Sequence, residues 1–552
     1  MGSDDKRILD SVHGNIYIDR VLVKDIIDTA EFQRLRRVEQ TSTRAIFPSA
    51  RHDRFIHSLG VYYIGSLIVK QLEKTGVDEI TNCIHADLFK NLSNSYLIAC
   101  LLHDIGHAPF SHTFEKYFGT IPVGVDGSKD LLKRDVLEAI TDLYHGKENV
   151  AKIKEEELFN YKNDSNYHEL TSALITINRF KDVIPVSPTD YDNIEFVARM
   201  IIGCTYQYGK EKPEVQIRNC FIDLLHGGII DADRLDYVCR DVWASGYCTS
   251  SVDIERLISG LHIELNRSTK QYEVCFHANV LNEIESVLDV KDFQVKYILN
   301  HHTVLLEQYY LEQAALQMAL DFANNNVENN EEQALASILC KSALTDDGII
   351  LEKIHINGEP IVVRHMADDD LVNLMKLDNN EYYQKWSSRK YEKIALWKTR
   401  DEFFYYFELP RDTSLGDKED FLNALLPTLA NFGISSENVL CLKAEYKPRV
   451  ELDNLKIHLS DTEMVEYTQL YRESEYGLYT KKSKSKNKKQ IFYYIYIDAN
   501  ILPTDRTQLK NRKIEIMRAL KTQIESQYNQ GCIFKKIVCD ILTKVLETIK
   551  CK

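Results

Sequence analysis

The chain has 552 residues, 44% of them hydrophobic, enough to bury a large core in one long domain followed by a smaller one. Its formal net charge of −15 argues against nonspecific nucleic-acid binding by the whole surface, so an anionic substrate would have to meet a local basic pocket. No run of eighteen apolar residues spans a membrane, the charged start MGSDDKR is no signal peptide, and twelve cysteines without a CxxC pair point to reduced thiols. A cytoplasmic location is expected.

In chain order, residues 6 to about 320 are mostly helix-patterned. The stretch IIDTAEFQRLR reads as an amphipathic helix with an Asp cap and an Asp-Arg pair. In HDRFIHSLG, Arg54 lies three residues before His57, on the same helical face, where it can reach an anion held beside that histidine or stand as a surface arginine. The segment SNSYLIACLLHDIGHAPFSHTFE carries an apolar helix from Tyr96 to Leu102 and then a polar cluster. Pro109 disfavours helical geometry at Ala108, so the helix should stop near His107 with His103 and Asp104 in its last turn. Burying an imidazole and a carboxylate there without partners would cost several kcal/mol, roughly, which a shared cation removes. A variable insertion follows near 117 to 165. NYHEL opens a further apolar helix, where His168 could be a cap or a structural residue. In GIIDADRLDYVCRD, Asp233, Tyr237 and Asp241 fall at i, i+4 and i+8 along one face, with Arg234 a further phosphate candidate.

A two-stranded unit is expected from Leu261 to Phe276. The run HHTVLLEQYYLEQAALQMALDFA reads as a long amphipathic helix ending in NNNVENNEEQ, which places the domain boundary at 325. Beyond it strands are expected in GIILEKI, FFYYFEL and QIFYYIYI, with a helical finish from Asp505. The basic run KKSKSKNKKQ, 481 to 490, could grip polyphosphate or nucleic acid, but it has no aromatic residues for stacking and reads first as a solvated loop.

His57, the pair His103-Asp104, and Asp233 form a mixed set of imidazole and carboxylate donors. Such a set suits one divalent Fe, Mn, Ni or Zn ion, and four protein ligands leave room for water or phosphate if the ion takes six. Each residue alone would be a satisfied core histidine, a cap or a solvated charge.

The stretches KRILDSVHGNIYI, IIDTAEFQRLRRVEQ, FPSARHDRFIHSLGV, HDIGHAPFSHTFE, NYHELTSALI and GIIDADRLDYVCRD resemble, in order and spacing, the HD-domain phosphohydrolases, and among them the deoxynucleoside triphosphate (dNTP) triphosphohydrolases. The resemblance covers roughly residues 6 to 310. It implies a mainly α fold, a helical metal-phosphohydrolase core over 1–325 with a smaller α+β region over 326–552 for regulation and oligomerisation. It also implies cleavage of a dNTP to a deoxynucleoside and tripolyphosphate.

By the same resemblance, His112 faces the bridging oxygen as general acid, with His107, Glu115 and His168 in support. Gln40, Tyr237 and Asp241 contact the sugar, an ion-paired helix surface being the alternative for Asp241. Lys6, Asp28, Gln33 and Arg36 match residues that bind an activating nucleotide, GTP or a dNTP, between subunits of a dimer or tetramer; Phe47 and Arg389 match an adjoining site. Mg2+ could accompany the bound nucleotide. His13 reads as structural. Lys291, Lys296, His301 and His302 are further candidate nucleotide contacts of uncertain register. The rival readings are an HD phosphodiesterase or nucleotidase on another nucleotide or nucleic-acid end, and a nucleotide-sensing interaction protein; a role in antiviral defence is compatible with the first reading.

Overall fold

The computed structural model describes residues 5–75, 84–119, 128–143, 166–187, 192–207, 209–227, 230–247, 252–323, 330–409, 413–446, 455–460, 463–467, 470, 490–529 and 535–536. The chain is mainly α with small sheets. It divides into two compact units, Met1–Gln294 with Leu311–Tyr383 and Glu451–Leu470, and Val295–Tyr310 with Gln384–Val450 and Tyr471–Lys552. The boundary expected at 325 therefore falls inside the first unit. The stretch around it, Leu311–Tyr383, is tied to the first unit: Arg34 donates to the carbonyl of Met366 (3.0 Å), and Asp368 accepts from the N–H groups of Phe110 (2.6 Å) and Glu39 (2.9 Å). Strand Lys456–Ser460, parallel to Gln271–His277, later returns the chain to the same unit.

The first unit opens with an antiparallel hairpin, Asp5–Asp10 against Gly14–Asp19. Asp10 closes its turn by accepting from the backbone N–H groups of Val12 (2.8 Å) and His13 (2.7 Å), and Gly14 takes the positive φ that the turn demands, +74°. The segment IIDTAEFQRLR is not one helix. It winds as a π turn, Val23–Ile27, then restarts as a short α-helix, Ala30–Arg34, because Thr29 caps the backbone N–H of Phe32.

Three helices build the site. The His57 helix is Arg54–Thr75, the His103 helix Ala86–Leu102, and the Asp233 helix Ala232–Ser245. They approach through glycines on the His57 helix. A Cβ on Gly60 would lie 1.9 Å from Asp236 Oδ1, and one on Gly65 would lie 2.8 Å from Cys100 Sγ. Tyr96, Ala99, Cys100, Leu101 and Leu102 are fully buried, so the His103 helix delivers its C-terminus into the core. Behind them pack Tyr167–Arg179 (the His168 helix), Asn193–Ile202 and Pro213–His226.

A four-stranded sheet in the order Glu463–Glu466, Lys456–Ser460, Gln271–His277, Leu261–Asn266 completes this part. The expected two-stranded unit is its last pair. The expected long helix spans His302–Phe322, and GIILEKI lies in strand Ile349–Ile356.

The second unit holds a three-stranded antiparallel sheet with Gln490–Asp498 between Lys393–Ala395 and Val439–Tyr446. FFYYFEL is not a strand: Phe403 to Tyr406 lie in helix Arg400–Tyr406. Thr399 caps it by accepting from the N–H of Glu402 (3.0 Å), and Asp401 and Glu402 in the first turn suit the helix dipole. Helix packing on an aromatic core of Trp397, Phe403, Phe421 and Phe492 then overrides the β preference of the aromatic run. The helical finish is Arg506–Asn529. Of KKSKSKNKKQ, all but Gln490 lies outside the described residues, as does most of the insertion near 117 to 165. No described helix is long and apolar enough to cross a membrane.

Candidate metal centre

His57 sits one turn into its helix, which Asp53 starts by accepting from the N–H of Ile56 (2.9 Å). His103 and Asp104 stand immediately beyond their helix, which ends at Leu102 and not near His107. The early stop follows from a close approach: Gly106 donates its N–H to Ser172 Oγ (2.9 Å), and a Cβ there would lie 2.4 Å from the backbone nitrogen of Ser172. Asp233 occupies the first turn of the helix that Asp231 caps by accepting from the N–H of Arg234 (2.7 Å).

These four side chains converge. His57 Nε2 lies 3.3 Å from His103 Nε2, 3.4 Å from Asp104 Oδ2 and 3.0 Å from Asp233 Oδ1. His103 Nε2 lies 3.5 Å from Asp104 Oδ2 and 3.6 Å from Asp233 Oδ1. Ligands about 2.1 Å from one ion stand roughly 3.0 to 3.4 Å apart, so the spacing fits a shared cation.

The tautomers agree. His57 Nδ1–H donates to Asp236 Oδ2 (2.7 Å), and His103 Nδ1–H donates to the carbonyl of Cys100 (2.9 Å). Both Nε2 lone pairs therefore face each other and two carboxylates, an arrangement that a cation relieves. Burial alone would depress the His57 pKa, yet the Asp233 and Asp236 carboxylates beside it raise it, so that with no cation present Nε2 would take up a proton instead. The pocket calls for positive charge. His57, His103 and Asp104 are buried, whereas the Asp233 side chain is 37% exposed, so the open side of the centre is at Asp233.

A polar shell fixes the donors. Asp236 is fully buried and also accepts from Arg240 Nε (2.8 Å) and His13 Nε2 (2.6 Å), while Arg240 Nη1 reaches Asp10 Oδ2 (2.9 Å). Burial would raise the Asp236 pKa, but Arg240 and the two histidines hold it well below the usual carboxylate range. Arg54 donates to Asp104 Oδ2 (2.7 Å), Ser111 Oγ (2.9 Å) and the carbonyl of Gln40 (3.3 Å).

Beside the centre runs a row of imidazoles. His107 Nε2 lies 3.3 Å from Asp104 Oδ1, and its ring stacks on His168 with centroids 3.9 Å apart. Glu115 accepts from His168 Nδ1 (2.7 Å) with one oxygen and from His112 Nδ1 (2.6 Å) with the other. Its first oxygen also takes the backbone N–H of His168 (3.1 Å), at the N-terminus of the His168 helix. Burial and the neighbouring Arg54 push His107 well below its ordinary pKa, so it is neutral. Burial also opposes charge on His168, but Glu115 prevails and raises it to about 9. The His112 side chain is 64% exposed, and its Nδ1 bond to Glu115 leaves Nε2 directed away from that carboxylate.

The other anticipated contacts are partly gathered. Gln40 donates its N–H to the carbonyl of His52 (3.1 Å), and the His52 ring donates to Asp241 Oδ1 (2.6 Å). Asp241 also accepts from Gln294 and is buried, so it is not an ion-paired surface residue. Arg234 Nε donates to Tyr237 Oη (3.2 Å), one turn along the Asp233 helix.

Of the residues matched to a second nucleotide site, Arg36 donates to Gln33 Oε1 (2.8 Å), and Gln33 donates to the carbonyl of Ile27 (2.7 Å), next to exposed Asp28. Lys6 is exposed on the first hairpin strand, Phe47 packs against Tyr247, and Arg389 is exposed in the second unit. Lys291 closes helix Leu281–Phe293, Lys296 lies in the π turn Gln294–Leu299, and His301 accepts from the N–H of Thr303 (3.2 Å). Burial lowers the pKa of His302 to about 4.

Sequence reading passed over Asp236, Arg240, His52 and Asp368. Asp368 accepts from the N–H groups of Phe110 (2.6 Å) and Glu39 (2.9 Å), tying the loop after the HD pair to the segment before Arg54. A signal existed for one pair: Asp236 and Arg240 are spaced i, i+4 within DRLDYVCRD.

Residues 54–183 match the HD domain family. An uncharacterized protein of Mycoplasma genitalium is 29% identical over 50% of this chain and 52% of its own length. Deoxynucleoside triphosphate triphosphohydrolase SAMHD1 of Gallus gallus is 30% identical over 45% of this chain and 35% of its own length. The chain thus spans about half the length, or less, of these curated relatives. The crystal structure of a phosphohydrolase from Bacteroides thetaiotaomicron superposes with a TM-score of 0.53 over 90% of this chain and 100% of that one; at 18% identity it shows the fold. The match begins at Arg54 and takes in His57, His103 and Asp104, three of the four converging donors, so residues 54–183 carry an HD domain, and the chain is similar to a deoxynucleoside triphosphate triphosphohydrolase.

Proposed function

We propose that the protein is a metal-dependent phosphohydrolase that cleaves a dNTP to a deoxynucleoside and tripolyphosphate, and that a second bound nucleotide activates it. The observation that carries this reading is the approach of His57 and His103 to each other and to Asp104 and Asp233, at 3.0 to 3.6 Å, beside the row His107, His168, Glu115, His112. A divalent ion held by the four donors would supply Lewis-acid polarisation of a phosphoryl oxygen and favour ionisation of water.

The chain's own groups do the rest. Arg54 bonds directly to the ligand Asp104, which positions it to meet a phosphate oxygen entering from the open side at Asp233. Arg234 offers a second positive charge. Glu115 orients His112 through Nδ1, which leaves Nε2 to give a proton to the departing 5'-oxygen. His168 shares the same carboxylate and keeps Glu115 ionised, while His107 links this row to Asp104. Gln40, Tyr237 and Asp241 read the sugar, and the His52 bond holds Asp241 in place. For activation, Asp28 would accept from the N1 and amino donors of a guanine while Lys6 and Arg36 meet phosphate. Gln33 holds Arg36 for that contact. Phe47 and Arg389 would serve an adjoining site, and the active form is a homo-oligomer.

Incubation with each dNTP, alone and in mixtures, with Mn2+, Fe2+, Ni2+, Zn2+ or Mg2+, tests the reading. The expected products are a deoxynucleoside and tripolyphosphate. Release of pyrophosphate or orthophosphate, or turnover confined to a cyclic dinucleotide, a monophosphate or a nucleic-acid end, would replace it with the phosphodiesterase or nucleotidase alternative.

A further inference from the structure

A second cluster of metal-type donors lies on the four-stranded sheet. Antiparallel pairing sets His262 opposite Cys275 and Glu264 opposite Glu273, and parallel pairing sets His458 opposite His277. Side chains at paired positions share a face. His262, Glu264, His277 and His458 therefore stand together, on three different strands.

Their atoms are close. Glu264 Oε1 is 3.9 Å from both His262 Nδ1 and His277 Nε2, and Oε2 is 2.9 Å from His458 Nδ1. The His262 and His277 rings are 4.1 Å apart and the His277 and His458 rings 4.9 Å. On the same face Lys456 pairs with Glu466 (3.3 Å), and Glu273 is engaged by Asn266 (3.0 Å) and Thr269 (2.7 Å).

Three imidazoles around one carboxylate is an N3O donor set of the kind that takes borderline divalent ions. We propose that His262, Glu264, His277 and His458 form a second metal site for a zinc-class divalent ion, separate from the HD centre, which clips strand Lys456–Ser460 onto the hairpin of residues 261–277. The donor atoms of His262, Glu264 and His277 lie within 4.8 Å of one another, and His458, whose Nδ1 is 2.9 Å from Glu264 Oε2, joins them on side-chain rotation.

The clip has a mechanical meaning. Residues 456–458 pair with 275–277 over three positions only, yet they return the chain from more than a hundred and seventy residues away. Metal coordination across that junction converts binding energy into folding energy.

The test uses the full chain, loaded with Zn2+ and freed of excess. Elemental analysis should find two equivalents in the wild type and one in an Asp104→Ala/Asp233→Ala protein. Adding His262→Gln to that double variant should remove the last equivalent, and EDTA should lower the Tm of the double variant but not of the triple. Should His262→Gln fail to fold, His277→Gln, on the most exposed of the three rings, carries the same comparison. Zinc absent from the double variant, or retained at one equivalent after the histidine substitution, overturns the proposal. Because the readout is metal content in a protein whose HD centre is disabled, failure here is distinct from failure of the phosphohydrolase reading.

Discussion

At the scale of single residues, the HD centre depends as much on what holds its donors as on the donors. Asp236 fixes the tautomer of His57 and is itself fixed by Arg240 and His13. Asp236→Asn keeps the shape but replaces a carboxylate acceptor with an amide, so metal affinity should fall roughly 10- to 100-fold. Competition with a chelator measures it, and unchanged affinity would reduce Asp236 to a packing residue. His112 makes a different case. It lies outside the converging donors and bonds to Glu115, so His112→Ala should lower turnover by about a hundredfold or more while metal content stays whole; loss of metal would make it a ligand.

His168 gives a pH signature. Its pKa is raised from an ordinary 6.5 to about 9 because Glu115 outweighs burial. A folded value above the unfolded one means the pair's contribution is complete below about pH 6.5 and fades as pH climbs through about 9. The Tm gap between wild type and His168→Gln should therefore be widest near pH 6 and narrow by about pH 10. A gap independent of pH would assign the loss to packing alone.

At the scale of elements, the site exists because helices approach at Gly60. A Cβ there would press 1.9 Å from Asp236 Oδ1 and 2.5 Å from Arg240 Nη2, groups already held by His13, His57 and Asp10. Gly60→Ala should cost about 1–3 kcal/mol of stability, as overpacking does, and weaken metal retention with it. Chemical denaturation and metal analysis on one sample would separate these effects. A stable, metal-replete variant would mean the helices can part.

The same scale explains what could be read in the sequence. His57, His103-Asp104 and Asp233 were legible because metal donors at a helix start and a helix end carry local marks: a proline, a glycine, an apolar run. Asp236 was legible only as the i, i+4 partner of Arg240, since His57, which it orients, is 179 positions away. FFYYFEL misled because aromatic content favours strands, whereas the Thr399 cap lies outside the run. The end of the His103 helix at Leu102 depends on Gly106 meeting Ser172, a tertiary contact. The grouping of Leu311–Tyr383 with the first unit likewise rests on tertiary contacts, such as Asp368 with the N–H groups of Phe110 and Glu39, that no local pattern announces.

At the scale of the whole molecule, a chain of net charge −15 that handles a polyanion must concentrate its positive charge where the nucleotide binds. Arg54 and Arg234 do this at the HD centre in the reading proposed above, and Lys6 and Arg36 would do it at the regulatory site. Asp28 is exposed beside the Gln33 and Arg36 pair, groups that in the proposed reading would meet a base and a phosphate. A nucleotide there can activate only by binding the active assembly more tightly than the inactive one, since equal affinity shifts no population. A single dNTP should then be hydrolysed slowly until GTP or a second dNTP is added, and the addition should raise the sedimentation coefficient as protomers associate. Asp28→Ala should abolish both responses and leave metal content unchanged, because Asp28 belongs to the turn before helix Ala30–Arg34 and not to the HD centre. If rate and sedimentation coefficient stay the same with and without every candidate activator, the segment from Asp28 to Arg36 is scaffold alone, and the enzyme answers only to its substrate.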